Sequence, residues 1–392
     1  MSKRDSWLLP DGIDEVLPEQ AQVVEFLRRK LLDLYHSWGY DLVIPPMIEF
    51  TESLLSGSGK DLDLMTFRVT DQISGRMMGI RADITPQTAR MDAHSLRREG
   101  PNRLCYAGTV LHTKPRGPLQ SRAPISVGVE LFGEGSLAAD MEVIELFLQT
   151  LNASGVTETY LDLGHVDILR ELLVEAQLSN ELESELFELL QRKAQSELTD
   201  WIADNIIDSY LGQCLSSLPK LAGGVGVLDQ AKALLEKAPK KVLDAIEQLE
   251  TVVNLVSQMG VRVHLDLGEM PGYHYHTGIV FAAYVQGYGK ALGNGGRYDS
   301  VGQAFGRSRP ATGFAFDLKS LVTQGRKVGD QPSGIFVPYC NDSECADQIK
   351  LLRESGHRVV QGFEGQLENI EEMKCNRELI KLDGKYVIQD LS

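Results

Sequence analysis

The sequence predicts an α+β fold, and three observations lead to it. Extended runs are separated by loops, without the regular strand–helix alternation of a doubly wound parallel sheet. A block over residues 166–260 is rich in Leu, Glu, Ala and Lys at helical spacing and poor in β-branched runs, which marks a helical insertion. The last ~60 residues read as a small, separate α/β unit.

The elements follow in order. Over residues 19–38, Val23, Leu27, Leu31, Leu34, Tyr35 and Trp38 share one helical face, with Pro18 before them and Gly39 after. Residues 40–44 form a short strand that stops at Pro45-Pro46. Two extended runs, 104–112 and 125–132, flank a polar loop rich in Pro and basic residues and predict a long-loop antiparallel hairpin. A helix over 137–151 turns Met141, Ile144, Leu148 and Leu151 inward, and a strand follows at 159–163. After the helical insertion, strands resume at 261–267 and 278–286. Residues 293–296, Gly-Asn-Gly-Gly, read as a glycine-dense turn, and 314–321 as a helix. Residues 325–333 read as a linker. The tail then has a strand at 335–337, a helix at 343–354, a strand at 358–360 and a hairpin over 379–388 turning at Asp383-Gly384. The expected domains are therefore 1–325 and 331–392.

Composition narrows the function classes. With 43% hydrophobic and 24% charged residues, the chain is ordinary globular material. It has no apolar run long enough to span a membrane, and residues 1–12 lack a signal-peptide core. There are 39 basic and 55 acidic residues, a balance that argues against broad nucleic-acid binding. Five scattered cysteines without a C-x-x-C pair predict neither a disulfide framework nor a thiolate zinc site, hence a reduced, cytoplasmic chain.

Three local patterns do not hold up. Residues 56–60, Ser-Gly-Ser-Gly-Lys, end like a phosphate-binding loop, but Leu54 stands where its first glycine belongs and Asp61 where magnesium needs a hydroxyl. Gly224-Val-Gly226 lacks a third glycine, with Asp229 following, and no strand is expected before it. His264, His274 and His276 have no suitably spaced cysteine or carboxylate to complete a metal site, so neither a metal nor a cofactor is expected.

Four other segments carry the information. The first is Leu9-Pro-Asp-Gly12, then Trp38-Gly39-Tyr40 and Ile44-Pro-Pro46 with Glu49. The second is Arg81-Ala-Asp-Ile-Thr85, which offers a carboxylate and a hydroxyl to an ammonium group. The third is Ser126-Val-Gly-Val-Glu130-Leu-Phe-Gly133. The fourth is Gly272-Tyr-His-Tyr-His-Thr-Gly278 followed by Gly295-Gly-Arg-Tyr-Asp299.

Together these segments resemble histidyl-tRNA synthetase and, more closely, its non-catalytic relatives, the regulatory subunits of ATP phosphoribosyltransferase. The resemblance covers about residues 1–325. It implies a class II aminoacyl-tRNA synthetase-like domain: an antiparallel sheet with flanking helices, the first motif building a dimer interface. It implies a histidine pocket made of Asp83, Thr85, Glu130, Tyr275, His276, Gly295 and Tyr298. In the synthetase, arginines stabilise the charge that develops at the α-phosphate during adenylation. The three matching positions here hold Leu111, Pro271 and Ser320, with Lys319 one position off on a helix. One such donor is typically worth ~10²–10³ in rate, so the loss of all three predicts no catalysis with the amino-acid pocket retained.

The resemblance therefore implies a regulatory chain without chemistry of its own. Its partner would be the short catalytic subunit of ATP phosphoribosyltransferase, in a hetero-octamer, and histidine would be the inhibiting effector. The tail is short for an anticodon-binding domain, which argues further against tRNA as a partner. Two alternatives stay open at this stage: a synthetase paralogue that regulates through another amino acid or RNA, and an active histidyl-tRNA synthetase.

Overall fold

The computed structural model describes residues 7–57, 60–115, 117, 120–268, 272–273, 275–325, 334–365 and 371–391. The chain divides into two compact units, Met1–Arg326 and Lys327–Ser392. In chain order the strands of the first unit begin with β1 (Asp41–Leu42), β2 (Ile48–Phe50), β3 (Phe67–Thr70) and β4 (Met77–Ile80). Next come β5 (Asn102–Thr109), β6 (Ile125–Phe132), β7 (Thr159–His165) and β8 (Ala222–Gly223). The last are β9 (Arg262–Asp266), β10 (Ile279–Val285), β11 (Tyr288–Arg297) and β12 (Ala311–Asp317).

The main sheet has nine strands in the order β1-β5-β6-β12-β11-β10-β7-β9-β8. Its pairs are antiparallel except β1 with β5 and β7 with β9. A second, three-stranded sheet, β2-β4-β3, lies in the same unit. The expected hairpin is β5–β6, with Asn102 opposite Phe132 and Thr109 opposite Ile125.

Alternation gives the main sheet its two faces. On one, Val127, Val129, Phe281, Phe314 and Phe316 are buried. They pack against two helices, Pro18–Ser37 and Leu137–Ala153. Phe147 of the second helix sits 4.5 Å from Phe316 and 5.0 Å from Phe281, ring centre to ring centre. Within the first helix Val24, Leu27, Leu31 and Tyr35 are buried and Leu34 and Trp38 pack against the core, so the inward stripe takes Val24 in place of the expected Val23. The other face carries small residues at its centre and becomes the floor of the candidate site.

Three sequence expectations are corrected. Residues 293–296 are not a turn but the interior of β11. A Cβ at Gly293 would lie 2.2 Å from the Phe316 ring, so these glycines answer to crowding across the sheet and not to chain reversal. Residues 314–317 are not helical: they complete β12, and a helix runs only over Leu318–Gln324. Phe314 and Phe316 alternate with small residues and share the Phe147 side, a period-two signal that overrides the apolar spacing of 314, 318 and 321. A strand does precede Gly224: β8 pairs with β9, opposing Ala222 to Asp266. The third glycine of a dinucleotide-binding turn is still absent there.

The helical insertion forms as expected between β7 and β9, from Val166–Ala176 through Lys240–Gln258. In the second unit, β13 (Gly334–Val337), β14 (Val359–Gln361), β15 (Cys375–Leu382) and β16 (Lys385–Asp390) form a sheet ordered β14-β13-β15-β16. The helix Ser343–Glu354 begins at Asp342, whose side chain accepts from the Cys345 amide. The β15–β16 hairpin turns at Asp383 and Gly384, both at positive φ.

The cysteine expectation is also corrected. Cys340 and Cys345 form a disulfide, with Cα atoms 6.5 Å apart. The turn from β13 into the capped helix folds back on itself, which brings together two cysteines whose sequence spacing gives no such signal. Cys105, Cys214 and Cys375 are free and buried. Among the described residues no helix is long and apolar enough to cross a membrane.

Candidate ligand pocket

Register positions the site. Glu130 of β6 lies opposite Leu104 on one side and Gly313 on the other, and Gly313 lies opposite Gly296. Directly opposed residues share a face. Gly128, Gly296 and Gly313 therefore leave space on this face, which the side chains of Tyr106, His276 and Glu130 fill. Glycine is obligatory at 313, where a Cβ would fall 2.0 Å from Glu130 Oε2 and 2.5 Å from the Val129 carbonyl. Gly313→Ala is expected to displace the Glu130 carboxyl and to destabilise the chain by about 1–3 kcal/mol. Urea unfolding reads the second effect.

Glu130 is fully buried and surrounded by hydroxyls. Thr85 Oγ1 donates to Oε1 at 2.7 Å and Tyr106 OH at 3.0 Å, while Tyr298 OH donates to Oε2. A carboxylate offers about four acceptor positions, so three donors leave room for one more. Burial pushes the Glu130 pKa well above the usual range. The Thr85 hydroxyl pulls it back in part, and nearby Asp83 raises it further.

Tyr275 stacks on Tyr298, with ring centres 5.2 Å apart, and His276 meets Tyr275 edge-on at 5.2 Å. The Tyr275 hydroxyl is buried and has no hydrogen-bond partner among the described residues. Burial pushes its pKa well up, and Glu130 adds to the effect. A buried, unpaired hydroxyl is costly in a native structure, and a ligand that hydrogen-bonds to it removes that cost.

Asp83 sits at the start of the helix Thr85–Arg90. Its Oδ1 accepts from the amides of Ile84, at 2.6 Å, and Thr85, at 3.2 Å. It also lines a cleft of ≈ 320 Å³ with Ser126, Lys290, Asn294 and Ser320. The structure thus groups Thr85, Glu130, Tyr275, His276 and Tyr298, and puts Asp83 at the adjoining cleft. Gly295 is the exception. A Cβ there would meet the Gly313 carbonyl at 2.3 Å and the Phe281 ring at 2.5 Å. It faces the Phe281 side of the sheet, so its role is packing, and Gly296 is the glycine on the Glu130 face.

Tyr106 is the pocket residue that sequence reasoning missed. The hairpin register contained the signal: Tyr106 opposes Gly128, two residues from Glu130, so a long side chain reaches the carboxyl diagonally.

The former arginine positions are occupied without a cation. Leu111 is half-buried and uses its amide to donate to the Arg81 carbonyl at 3.0 Å. The Ser320 hydroxyl donates to Asp317 at 2.7 Å and accepts from Tyr288 at 3.0 Å. The Lys319 ammonium is engaged by Asp14 at 2.9 Å and Ser121 at 3.2 Å. Pro271 lies outside the described residues, as do His274, residues 58–59 of the glycine–lysine segment and 326–333 of the expected linker. His264 pairs with Asp162 at 2.9 Å, and among the described residues no group of three metal-binding side chains comes together.

The fold and pocket define a class II, histidyl-tRNA synthetase-like chain. The histidyl-tRNA synthetase family model matches residues 12–321, and the model for the ATP phosphoribosyltransferase subunit HisZ C-terminal domain matches residues 332–389. The chain is 54% identical to the ATP phosphoribosyltransferase regulatory subunit of Saccharophagus degradans, covering 99% of both. It is 50% identical to the one of Cellvibrio japonicus, over 100% of this chain and 98% of that one. This chain belongs to the ATP phosphoribosyltransferase regulatory subunits. A solved regulatory subunit/histidyl-tRNA synthetase from Bacillus halodurans superposes with a TM-score of 0.82 at 26% identity, covering 95% of this chain and 97% of that one. Histidyl-tRNA synthetase from Nostoc shares the fold, with a TM-score of 0.78 at 19% identity over 98% and 97% of the two chains.

Proposed function

We propose that this chain is the histidine sensor of a cytoplasmic ATP phosphoribosyltransferase complex. It pairs with the short catalytic subunit in a hetero-octamer, raises its activity and transmits inhibition by histidine. Asp83 takes the ligand's ammonium group. Glu130 accepts from an imidazole N–H, and Tyr275, His276 and Tyr298 wall the ring. The observation that carries this reading is the buried Glu130 carboxyl, ringed by three hydroxyls, beside a Tyr275 hydroxyl that has no partner among the described residues. Leu111 and Ser320 on the adenylation side fit a pocket that binds without reacting. Exposed Leu42, Ile44, Met47 and Ile48 lie in or beside the first matching motif and fit coverage by a second copy of the chain.

Inhibition follows if histidine binds the inactive assembly more tightly than the active one. Binding also carries a proton signature. Burial favours the protonated Glu130 carboxyl in the free pocket. An N–H donor in the last acceptor position favours the ionised form, so binding releases a proton, and affinity rises with pH until the free carboxyl itself ionises. Titration of L-histidine by calorimetry in two buffers of different ionisation heat tests this. Saturable binding with proton release is expected for the wild type, and binding without it for Glu130→Gln. No histidine binding by the chain, alone or with the catalytic subunit, would overturn the reading.

A further inference from the structure

Two aromatic side chains of one short segment enter different surroundings. Tyr275 belongs to the pocket. Tyr273, two residues earlier, is buried against the helical insertion. Phe187 of the helix Asn180–Gln191 packs on the Tyr273 ring at 4.9 Å, and the Tyr273 hydroxyl donates to Glu183 of the same helix at 3.3 Å. The Arg170 guanidinium, from the helix Val166–Ala176, stands 5.4 Å from the ring centre.

Arg170 also holds the segment's backbone. Its Nη2 donates to the carbonyls of Tyr273 at 3.1 Å and His276 at 2.6 Å, and Asp167 fixes the other nitrogen at 2.9 Å. The segment itself is tight. The amides of Tyr275 and His276 both donate to the Gly272 carbonyl, at 2.8 and 2.9 Å. Gly272 has φ +70°, and a Cβ there would come within 2.7 Å of His276 Nδ1. A displacement of Tyr275 or His276 is therefore felt at Tyr273 and Arg170.

We propose that Arg170 and Tyr273 are positioning residues that couple occupancy of the Glu130 pocket to the helices Val166–Ala176 and Asn180–Gln191. The proposal rests on the reading of that pocket as the histidine site. A ligand that engages Tyr275 and Glu130 fixes the segment, and the segment fixes the two helices. Linkage makes the coupling reciprocal: loosening the helices weakens the ligand. The helical insertion thereby becomes the part of the chain that changes state with histidine.

The test uses the full chain, L-histidine, calorimetry and hydrogen–deuterium exchange. In the wild type, histidine is expected to slow exchange across residues 167–191. Arg170→Ala removes both charge-assisted bonds to the segment, with the one to Asp167, and is expected to weaken histidine about tenfold and to abolish that protection. Arg170→Lys, which keeps a charged donor, should restore part of both. If Arg170→Ala melts far below the wild type, Tyr273→Phe carries the test, because it removes only the hydroxyl facing Glu183. Its histidine-induced protection should fall in the helix Asn180–Gln191. Histidine binding by the wild type with unchanged exchange at 167–191 would overturn the coupling and leave the pocket reading intact. So would wild-type affinity and protection in either variant. A wild type that does not bind histidine fails the pocket reading itself, and the coupling with it.

Discussion

Glu130→Ala is expected to weaken histidine binding by about 30- to 4,000-fold and to leave the mixed transferase active but insensitive to histidine. Truncating one side of a buried, hydrogen-bonded charge pair costs about 2–5 kcal/mol, and each 1.4 kcal/mol is tenfold. The variant also leaves the hydroxyls of Thr85, Tyr106 and Tyr298 without their acceptor. Some loss of stability accompanies the loss of binding, and Glu130→Gln separates the two. The amide keeps an acceptor oxygen for the hydroxyls but cannot supply a carboxylate to the ligand. Feedback inhibition titrated with histidine reads the effect directly. Unchanged inhibition in both variants would remove Glu130 from the site.

Arg297→Met is expected to give the largest loss of stability, about 3–5 kcal/mol in urea unfolding. Arg297 is buried and paired to buried Asp140 at 2.9 Å. It also bonds Asp299 at 3.2 Å and the carbonyls of Glu134, at 3.3 Å, and Ser136, at 3.2 Å. It thus ties β11 to the start of the helix Leu137–Ala153, one residue before Tyr298 of the pocket. Removing the guanidinium strands the Asp140 charge. Burial already holds the Asp140 pKa above its ordinary value, against the pull of Arg297. Without Arg297 it rises further. A carboxyl whose folded pKa is raised adds stability at pH below its unfolded pKa and loses it as pH climbs through the folded one. The stability gap between variant and wild type should therefore shrink as pH falls. Adding Asp140→Leu should recover most of the loss, since an apolar pair replaces a stranded charge. A gap that ignores pH, or a double variant no better than the single one, would show that the ion pair is not the cause.

What was legible in the sequence depended on the range of the physics. The β5–β6 hairpin, the helix Pro18–Ser37 and the tail helix Ser343–Glu354 follow from local alternation, helical periodicity and turn residues, which the chain carries within short windows. Glycines 293, 295 and 296 were misread because glycine marks turns locally, while the reason for glycine here is a neighbour on another strand: Phe316, Gly313 or Ile279. Phe314 was misread for a related reason, since its apolar spacing fits a helix until the partner strands are known. In the site, Asp83, Thr85, Glu130, Tyr275, His276 and Tyr298 were readable as motif residues. Tyr106 and Gly313 were not, because they matter only through register. Arg170 lies more than a hundred positions from the carbonyls it holds, and nothing near it in the chain announces the contact. The Cys340–Cys345 disulfide likewise depends on the fold-back of a turn and not on a spacing rule.

The central claim is that the chain regulates ATP phosphoribosyltransferase and does so through histidine. The most direct measurement is the steady-state rate of the short catalytic subunit from the same organism, with ATP and phosphoribosyl pyrophosphate, first alone, then with this chain, then with histidine added. The account predicts that the chain raises the rate and that histidine lowers it only in the mixture. A rate that ignores the chain, or a mixture that ignores histidine, would contradict it.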